Sequence, residues 1–277
     1  MKKTGKPSKL GENKITAKGT SDKLPPFNKD DLYEAQEIAY DAWNEPDQKK
    51  SIALARKALR ISPYCIDAYL IMTYSTDSYT ECVKLYTKAI ETGQKAFGDK
   101  FFKENRGHFW GIVETRPYMR ALEGLAINLW AMGERQKAIE TYQEMLCLNP
   151  NDNQGIRYVL INWLIAENEL GAAEKLLSDY LENSAFMLYS KALLYFKQVK
   201  KVKAINALKK GINANPHVPE FLLNPKKKYV PESQAEKIFG GYSSGRASEA
   251  DEYRKIAREA WRDVPEALNW LRENSSL

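Results

Sequence analysis

Residues Pro117 to Pro150 read PYMRALEGLAINLWAMGERQKAIETYQEMLCLNP, and this stretch decides the fold. Tyr118, Met119, Leu122, Leu125, Ala126, Leu129 and Trp130 recur at helical spacing and form one apolar stripe. Ala138, Ile139, Tyr142, Met145 and Leu146 form a second. Between them, Met132-Gly133-Glu134 is a tight turn, and Pro150 closes the unit. Thr115 is placed to cap the first helix, with Pro117 in its first turn, where a missing N–H costs nothing. Asn151 to Gln154 has capping-box spacing for the next helix. Two such helices cannot bury their stripes alone, so one unit predicts an array of similar neighbours.

Small residues stand where the two helices must touch, and a proline ends the unit. This spacing resembles the 34-residue tetratricopeptide repeat. With Met119 as the first position, the signature falls on Leu122, Leu125, Ala126, Leu129, Gly133, Ala138, Tyr142, Met145 and Pro150. Leu122 and Met145 replace the usual Trp and Ala and keep the sites apolar. Outward from this unit, residues 32–65 form a first copy with Ser51, Ala55, Ala58 and Pro63 in register. Residues 66–97 form a shorter second copy with Cys82, Tyr86 and Ala89. Residues 153–184 form a fourth, with Leu160, Trp163, Ala172 and Leu176, and residues 185–216 a fifth, with Ala192, Ala204, Leu208 and Pro216. The expected fold is therefore all-α: a tetratricopeptide-like right-handed superhelix of about five helix pairs.

Charge is unevenly placed. Residues 1–27 are expected to be a disordered basic tail, poor in apolar residues, and its first 23 residues carry +5 of the chain's formal +6. The tail reads as a solubilising arm; nucleic acid or an acidic partner bound through its lysines is the alternative. It has no arginines and no aromatics before Phe27, which weighs against nucleic acid. No apolar run approaches the roughly 18 residues of a membrane span, and no secretory signal is evident. Cys65, Cys82 and Cys147 form no CxxC pattern and read as small apolar residues of a reducing, cytoplasmic protein. His108 and His217 have no partners at ligand spacing, and no catalytic constellation stands out. The chain is expected to need no metal or cofactor and to catalyse no reaction.

Two stretches break the period of the array at 28–216. Residues 98–115, GDKFFKENRGHFWGIVET, carry four aromatics and are expected to pack on the solenoid, with Phe109 and Trp110 as candidates for a binding edge. Residues 222–248 contain Lys226-Lys227-Lys228 and GGYSSGR. That glycine-rich run lacks phosphate-loop spacing and no strand precedes it, so it reads as a flexible connector. Residues 217–277 then supply a linker and capping helices. Ala250, Tyr253, Ile256, Ala257, Ala260 and Trp261 make the main stripe. ANPHVPEFLL at 214–223 and AREAWRDVPEALNWL at 257–271 resemble the C-terminal part of the suppressor-of-tumorigenicity family. That resemblance implies a helical repeat scaffold and no catalytic residues. Animal members are membrane-anchored, a property the sequence gives no segment to carry over.

In tetratricopeptide arrays, positions 2, 5, 9 and 12 of each first helix face the concave surface. In copy three these are Arg120, Glu123, Ile127 and Trp130. In copy four they are Gln154, Arg157, Ile161 and Leu164, flanked by Tyr158, and in copy five Phe186, Tyr189, Leu193 and Phe196. The candidate peptide-binding groove is thus Arg120, Glu123, Ile127, Gln154, Arg157, Tyr158, Phe186 and Tyr189. Two arginines among apolar walls suit a peptide with an acidic group, because guanidinium grips carboxylate in a bidentate fashion. The Lys and Asn clamp of chaperone-binding arrays is absent. The expected function is a protein–protein interaction scaffold that binds a peptide or partner domain in this groove.

The register has a direct test. Ala126 should sit at a close helix–helix approach, so Ala126→Phe should overpack the core and cost about 1–3 kcal/mol, measured by urea unfolding.

Overall fold

Apolar stripes at helical spacing follow one another along the chain, each too narrow to form a core alone. The computed structural model describes residues 24–231, Gln234, Ile238 and residues 241–275. Residues 1–23, most of the lysine-rich tail, lie outside the described residues. The fold is an all-α superhelix of the tetratricopeptide kind.

The pairs run α1 (Lys29–Asn44) with α2 (Gln48–Ile61), α3 (Ile66–Met72) with α4 (Tyr79–Asn105), and α5 (Arg116–Ala131) with α6 (Arg135–Leu148). Then come α7 (Arg157–Ala166) with α8 (Leu170–Asp179) and α9 (Ala185–Lys197) with α10 (Lys201–Ala214). The short α11 (Val218–Leu223) precedes α12 (Ala247–Arg262) and α13 (Pro265–Asn274).

Small residues set how closely the helices approach. Ala126 and Ala138 are fully buried, where the register places them. Gly124 lies under the Tyr86 ring, and a Cβ there would come within 2.3 Å of it. Alanines at 35, 39, 42, 55, 58 and 68 do the same between α1, α2 and α3. Cys65 is buried in that cluster as a free thiol, and burial pushes it up to about 12. Cys82 and Cys147 are half-buried and also free.

Two helix starts differ from the sequence expectation. Thr115 does not cap α5; its hydroxyl donates instead to the carbonyls of Ile112, at 2.8 Å, and Phe109. This pins the preceding 3-10 turn rather than the helix start. Ahead of α7, the Asp152 carboxylate takes the backbone N–H groups of Ile156, at 2.9 Å, and Arg157, at 3.0 Å. Asp152, not Asn151, therefore satisfies the orphan donors at that start.

The inserted segment is ordered, as its aromatics predict. It lengthens α4 beyond a break at Gly98, where φ is 75°. Phe97, Phe101, Phe102, Phe109 and Tyr118 form one aromatic cluster. Phe109 is wholly buried in it and so offers no binding edge, while Trp110 is half-buried beside the Arg116 guanidinium. Arg106 ties the segment to α6 through a bidentate pair with Glu144, at 2.7 and 2.9 Å. The glycine-rich stretch is pinned at its end: Glu249 accepts from Gly245 N at 2.7 Å and from Asn215 Nδ2 at 2.9 Å.

The turns inside pairs three, four and five share one geometry. Glu134 N donates to Leu129 O, Glu169 N to Leu164 O and Lys200 N to Tyr195 O, all within 2.8–2.9 Å. In each turn one residue takes a positive φ: Gly133 at 84°, Asn168 at 61° and Val199 at 58°. Glycine and asparagine tolerate this conformation; a β-branched residue does so at a cost. Val199 is 74% exposed, so it loses no packing when replaced. Val199→Gly should therefore stabilise the fold by about 1 kcal/mol, read as a higher thermal midpoint.

Candidate functional site

The concave face divides into a closed part and an open part. The closed part is filled by the chain's own C-terminal helix. Helix α12 lies against α7 and α9 and reaches across to the end of α5. Phe186 meets Tyr242 at 5.3 Å and Tyr253 at 5.7 Å between ring centroids, and Tyr189 meets Tyr253 at 5.8 Å. Phe186, Tyr189, Tyr253 and Trp261 are all buried.

A polar chain fixes how α12 sits. Trp261 Nε1 donates to the Tyr253 hydroxyl at 3.0 Å. That hydroxyl lies 3.2 Å from Ser190 Oγ, which donates to Asn162 Oδ1 at 3.2 Å. Asn162, the one polar residue in an otherwise apolar run, therefore has a purpose. A satisfied buried network of this kind specifies one seating among many apolar ones. At the far end, Glu259 accepts from Trp130 Nε1 at 2.9 Å and takes both Arg135 Nη atoms, at 2.5 and 3.1 Å. Helix α13 adds Trp270 against Phe196 at 5.0 Å. These two helices thus cover the inner face of the last repeats. Phe186 and Tyr189 meet the chain itself, and a separate ligand reaches them only if α12 leaves.

Arg157 is also committed internally. Its Nη1 donates to Asp152 Oδ2 at 2.8 Å and its Nη2 to Glu182 Oε2 at 3.0 Å. Its guanidinium lies 4.2 Å from the centroid of the Tyr158 ring, whose hydroxyl donates to Glu182 at 3.2 Å. Burial pushes the Asp152 carboxyl above its ordinary range, against the pull of Arg157. Gln154 is held as well, donating to Glu123 Oε2 at 2.6 Å, and burial raises the Glu123 carboxyl.

The open part spans pairs one to three. Asp67 stands at its centre with its side chain only 1% exposed. Gln36 Nε2 donates to one carboxylate oxygen and Arg120 Nη2 to the other, both at 2.7 Å. This ties α1, α3 and α5 together from the inner side. Arg120 itself remains 43% exposed. On the helices it joins, Tyr33, Tyr40 and Trp43 of α1 and Ile127 of α5 are exposed, as is Tyr74 just after α3. Trp43 and Tyr74 make an edge-to-face pair at 6.0 Å. The Tyr40 hydroxyl is pushed up by burial and by the nearby Asp67 and Glu37 carboxylates.

The sequence reading missed Tyr33, Gln36, Tyr40 and Trp43. The signal was present: with residue 32 as the first position of copy one, they occupy positions 2, 5, 9 and 12. Asp67 and Tyr74 lie in the short second copy and, with residue 66 as its first position, occupy positions 2 and 9. Among the described residues no group of acidic, His or Cys side chains could hold a metal ion, and no helix is long and apolar enough to cross a membrane.

Three comparisons agree with this architecture. A family model described as tetratricopeptide repeat matches residues 129–193. The chain is similar to the Protein ST7 homolog of Drosophila melanogaster, 23% identical and covering 86% of this chain and 48% of that protein. It is likewise similar to the Suppressor of tumorigenicity 7 protein of Macaca fascicularis, 22% identical and covering 87% of this chain and 53% of that protein. The chain spans about half the length of the curated relatives it matches. Among solved structures, YrrB, described as a TPR protein with an unusual peptide-binding site, matches with a TM-score of 0.50 at 20% identity. That match covers 67% of this chain and 87% of YrrB.

Because Arg157 bridges and neutralises two carboxylates, Arg157→Met should destabilise the fold by about 3 kcal/mol at neutral pH. Without the guanidinium, the folded-state Asp152 carboxyl rises further above its unfolded value. The variant then takes up a proton on folding as the pH falls, so the penalty should shrink between pH 7 and pH 5 in urea titrations.

Proposed function

We infer, from a tetratricopeptide repeat protein that resembles the suppressor of tumorigenicity 7 family, a non-catalytic scaffold that binds a protein segment along the open half of its concave face. The observation that carries this reading is the set of exposed aromatics Tyr33, Tyr40 and Trp43 on α1 and Tyr74 just after α3, the two helices that Gln36 and Arg120 tie together through Asp67. Exposed aromatics gathered on one inner face, beside fixed hydrogen-bonding groups, are the usual anchors of a protein interface. The unusual peptide-binding site described for YrrB supports a peptide as the occupant.

Charge points to the kind of peptide. Helix α1 carries Asp30, Asp31, Glu34, Glu37 and Asp41 against a single lysine, Lys29. The guanidinium of Arg157 is already held by Asp152 and Glu182, and that of Arg120 by Asp67. A segment with lysine or arginine among apolar residues therefore fits this face better than an acidic one. Its cations would lie over the tyrosine and tryptophan rings and near the α1 carboxylates. Glu123, Ile127 and Gln154 would form the far edge of the same surface, next to the half closed by α12. Free thiols at Cys65, Cys82 and Cys147 suit a reducing compartment such as the cytoplasm.

Affinity purification from the native host, with wild type and a Tyr40→Ser/Trp43→Ser variant as baits, tests the reading. Both side chains are exposed, so the variant should keep its helix content. Partner recovery should fall at least about tenfold, the loss expected on removing two aromatic anchors. Undiminished recovery of every partner would overturn the assignment of the open face.

A further inference from the structure

The fifth helix pair is the most one-sided part of the chain in charge. Between Glu182 and Glu220 there is no acidic residue, while lysines stand at 191, 197, 200, 201, 203, 209 and 210. Nearby carboxylates offset this only in part. Glu174 pairs with Lys200 at 3.1 Å, and Asp263 lies near Lys197, whose ammonium is otherwise bonded to Ile165 O at 2.6 Å. Lys191, Lys201, Lys203, Lys209 and Lys210 have no ion-pair partner among the described residues.

Three of the lysines of this pair converge on one place. The ammonium groups of Lys191, Lys200 and Lys203 lie 5.9, 5.7 and 5.5 Å from the centroid of the Tyr195 ring. The turn from α9 to α10 and the first residues of α10 run through the same spot as Val199-Lys200-Lys201-Val202-Lys203. Val199 and Val202 are 74% and 75% exposed. Val199 is also the β-branched residue held at positive φ where the corresponding turns have Gly133 and Asn168. Like charges are therefore gathered around an exposed apolar tip, at a turn that carries backbone strain. The two exposed valines and the positive φ of Val199 do not help the fold, and strain of this sort is a pointer to use.

We propose that the turn end of the fifth pair, built from Tyr195, Val199, Lys200, Lys201, Val202 and Lys203, docks on an anionic lipid bilayer surface. The lysines would meet the negative surface potential of the headgroups. The two valines would enter the headgroup boundary, and Tyr195 would lie at its level, half apolar and half polar. An acidic peptide would satisfy the lysines and leave the valines in water. A nucleic acid would find no arginine here and, in Tyr195, a single half-buried ring to stack on. The patch does not include the open aromatic face, so the docking stands or falls independently of the groove reading.

The test is co-sedimentation of the full chain with vesicles of phosphatidylcholine alone and of phosphatidylcholine with one-third phosphatidylserine. Wild type should sediment with the anionic vesicles, and added salt should release it. Lys201→Glu/Lys203→Glu should weaken that binding at least about tenfold. Val199→Asn/Val202→Asn should weaken it severalfold while leaving its salt dependence unchanged, because only the apolar contribution is removed. Asn168 already occupies the matching turn, so asparagine at 199 is compatible with the fold. Absence of binding to anionic vesicles overturns the proposal. So does wild-type binding by the lysine variant, which would assign the effect to the basic residues 1–23. Wild-type binding by the valine variant would overturn it in favour of a purely ionic partner, to be sought with an acidic peptide and a single-stranded oligonucleotide.

Discussion

Trp163 lies flat between Trp130, at 4.4 Å, and Tyr142, at 4.6 Å. The Arg135 guanidinium covers the outer face of Trp130 at 3.9 Å. This stack joins the third helix pair to the fourth and offers Glu259 its two donors. The C-terminal helix is anchored through that glutamate, and the position of that helix decides which part of the concave surface stays open. Stacked rings bury large apolar areas in a fixed geometry, so the joint is both strong and directional.

Once α12 is seated, the molecule has two unlike halves. In the C-terminal half, Phe186, Tyr189 and Trp261 are buried with Tyr253, and Arg157 is spent on Asp152 and Glu182. In the N-terminal half, the helices are joined by alanines and by the Asp67 network, and large side chains are left facing out. Alanine-rich packing brings the backbones close but leaves the tyrosines and the tryptophan of α1 largely facing solvent. The same chain therefore fills one end of its groove and leaves the other open.

Much of this was legible in the sequence. The register set by Gly133, Ala126 and Ala138 placed five pairs, and the aromatic content of 98–115 foretold an ordered insertion. Other features were not legible because they depend on distance in space rather than along the chain. Asp67 and Arg120 are 53 residues apart, and Trp130 and Glu259 are 129 apart. Nothing in their local patterns marks them as partners. Thr115 and Asp152 show the same on a small scale: the residue types suit caps, and geometry chose which one serves.

By itself the sequence determined that the chain is an all-α array, because hydrophobic periodicity and small residues at fixed spacing are local properties. It also determined that the stripe of α12, with Tyr253, Ala257 and Trp261, must be buried. Only the tertiary structure decided against what. An amphipathic helix specifies that an apolar face be covered, but the cover is chosen by shape and by polar groups that must be satisfied. Here those groups are Ser190, Asn162 and Arg135, brought together by the curvature of the stacked pairs.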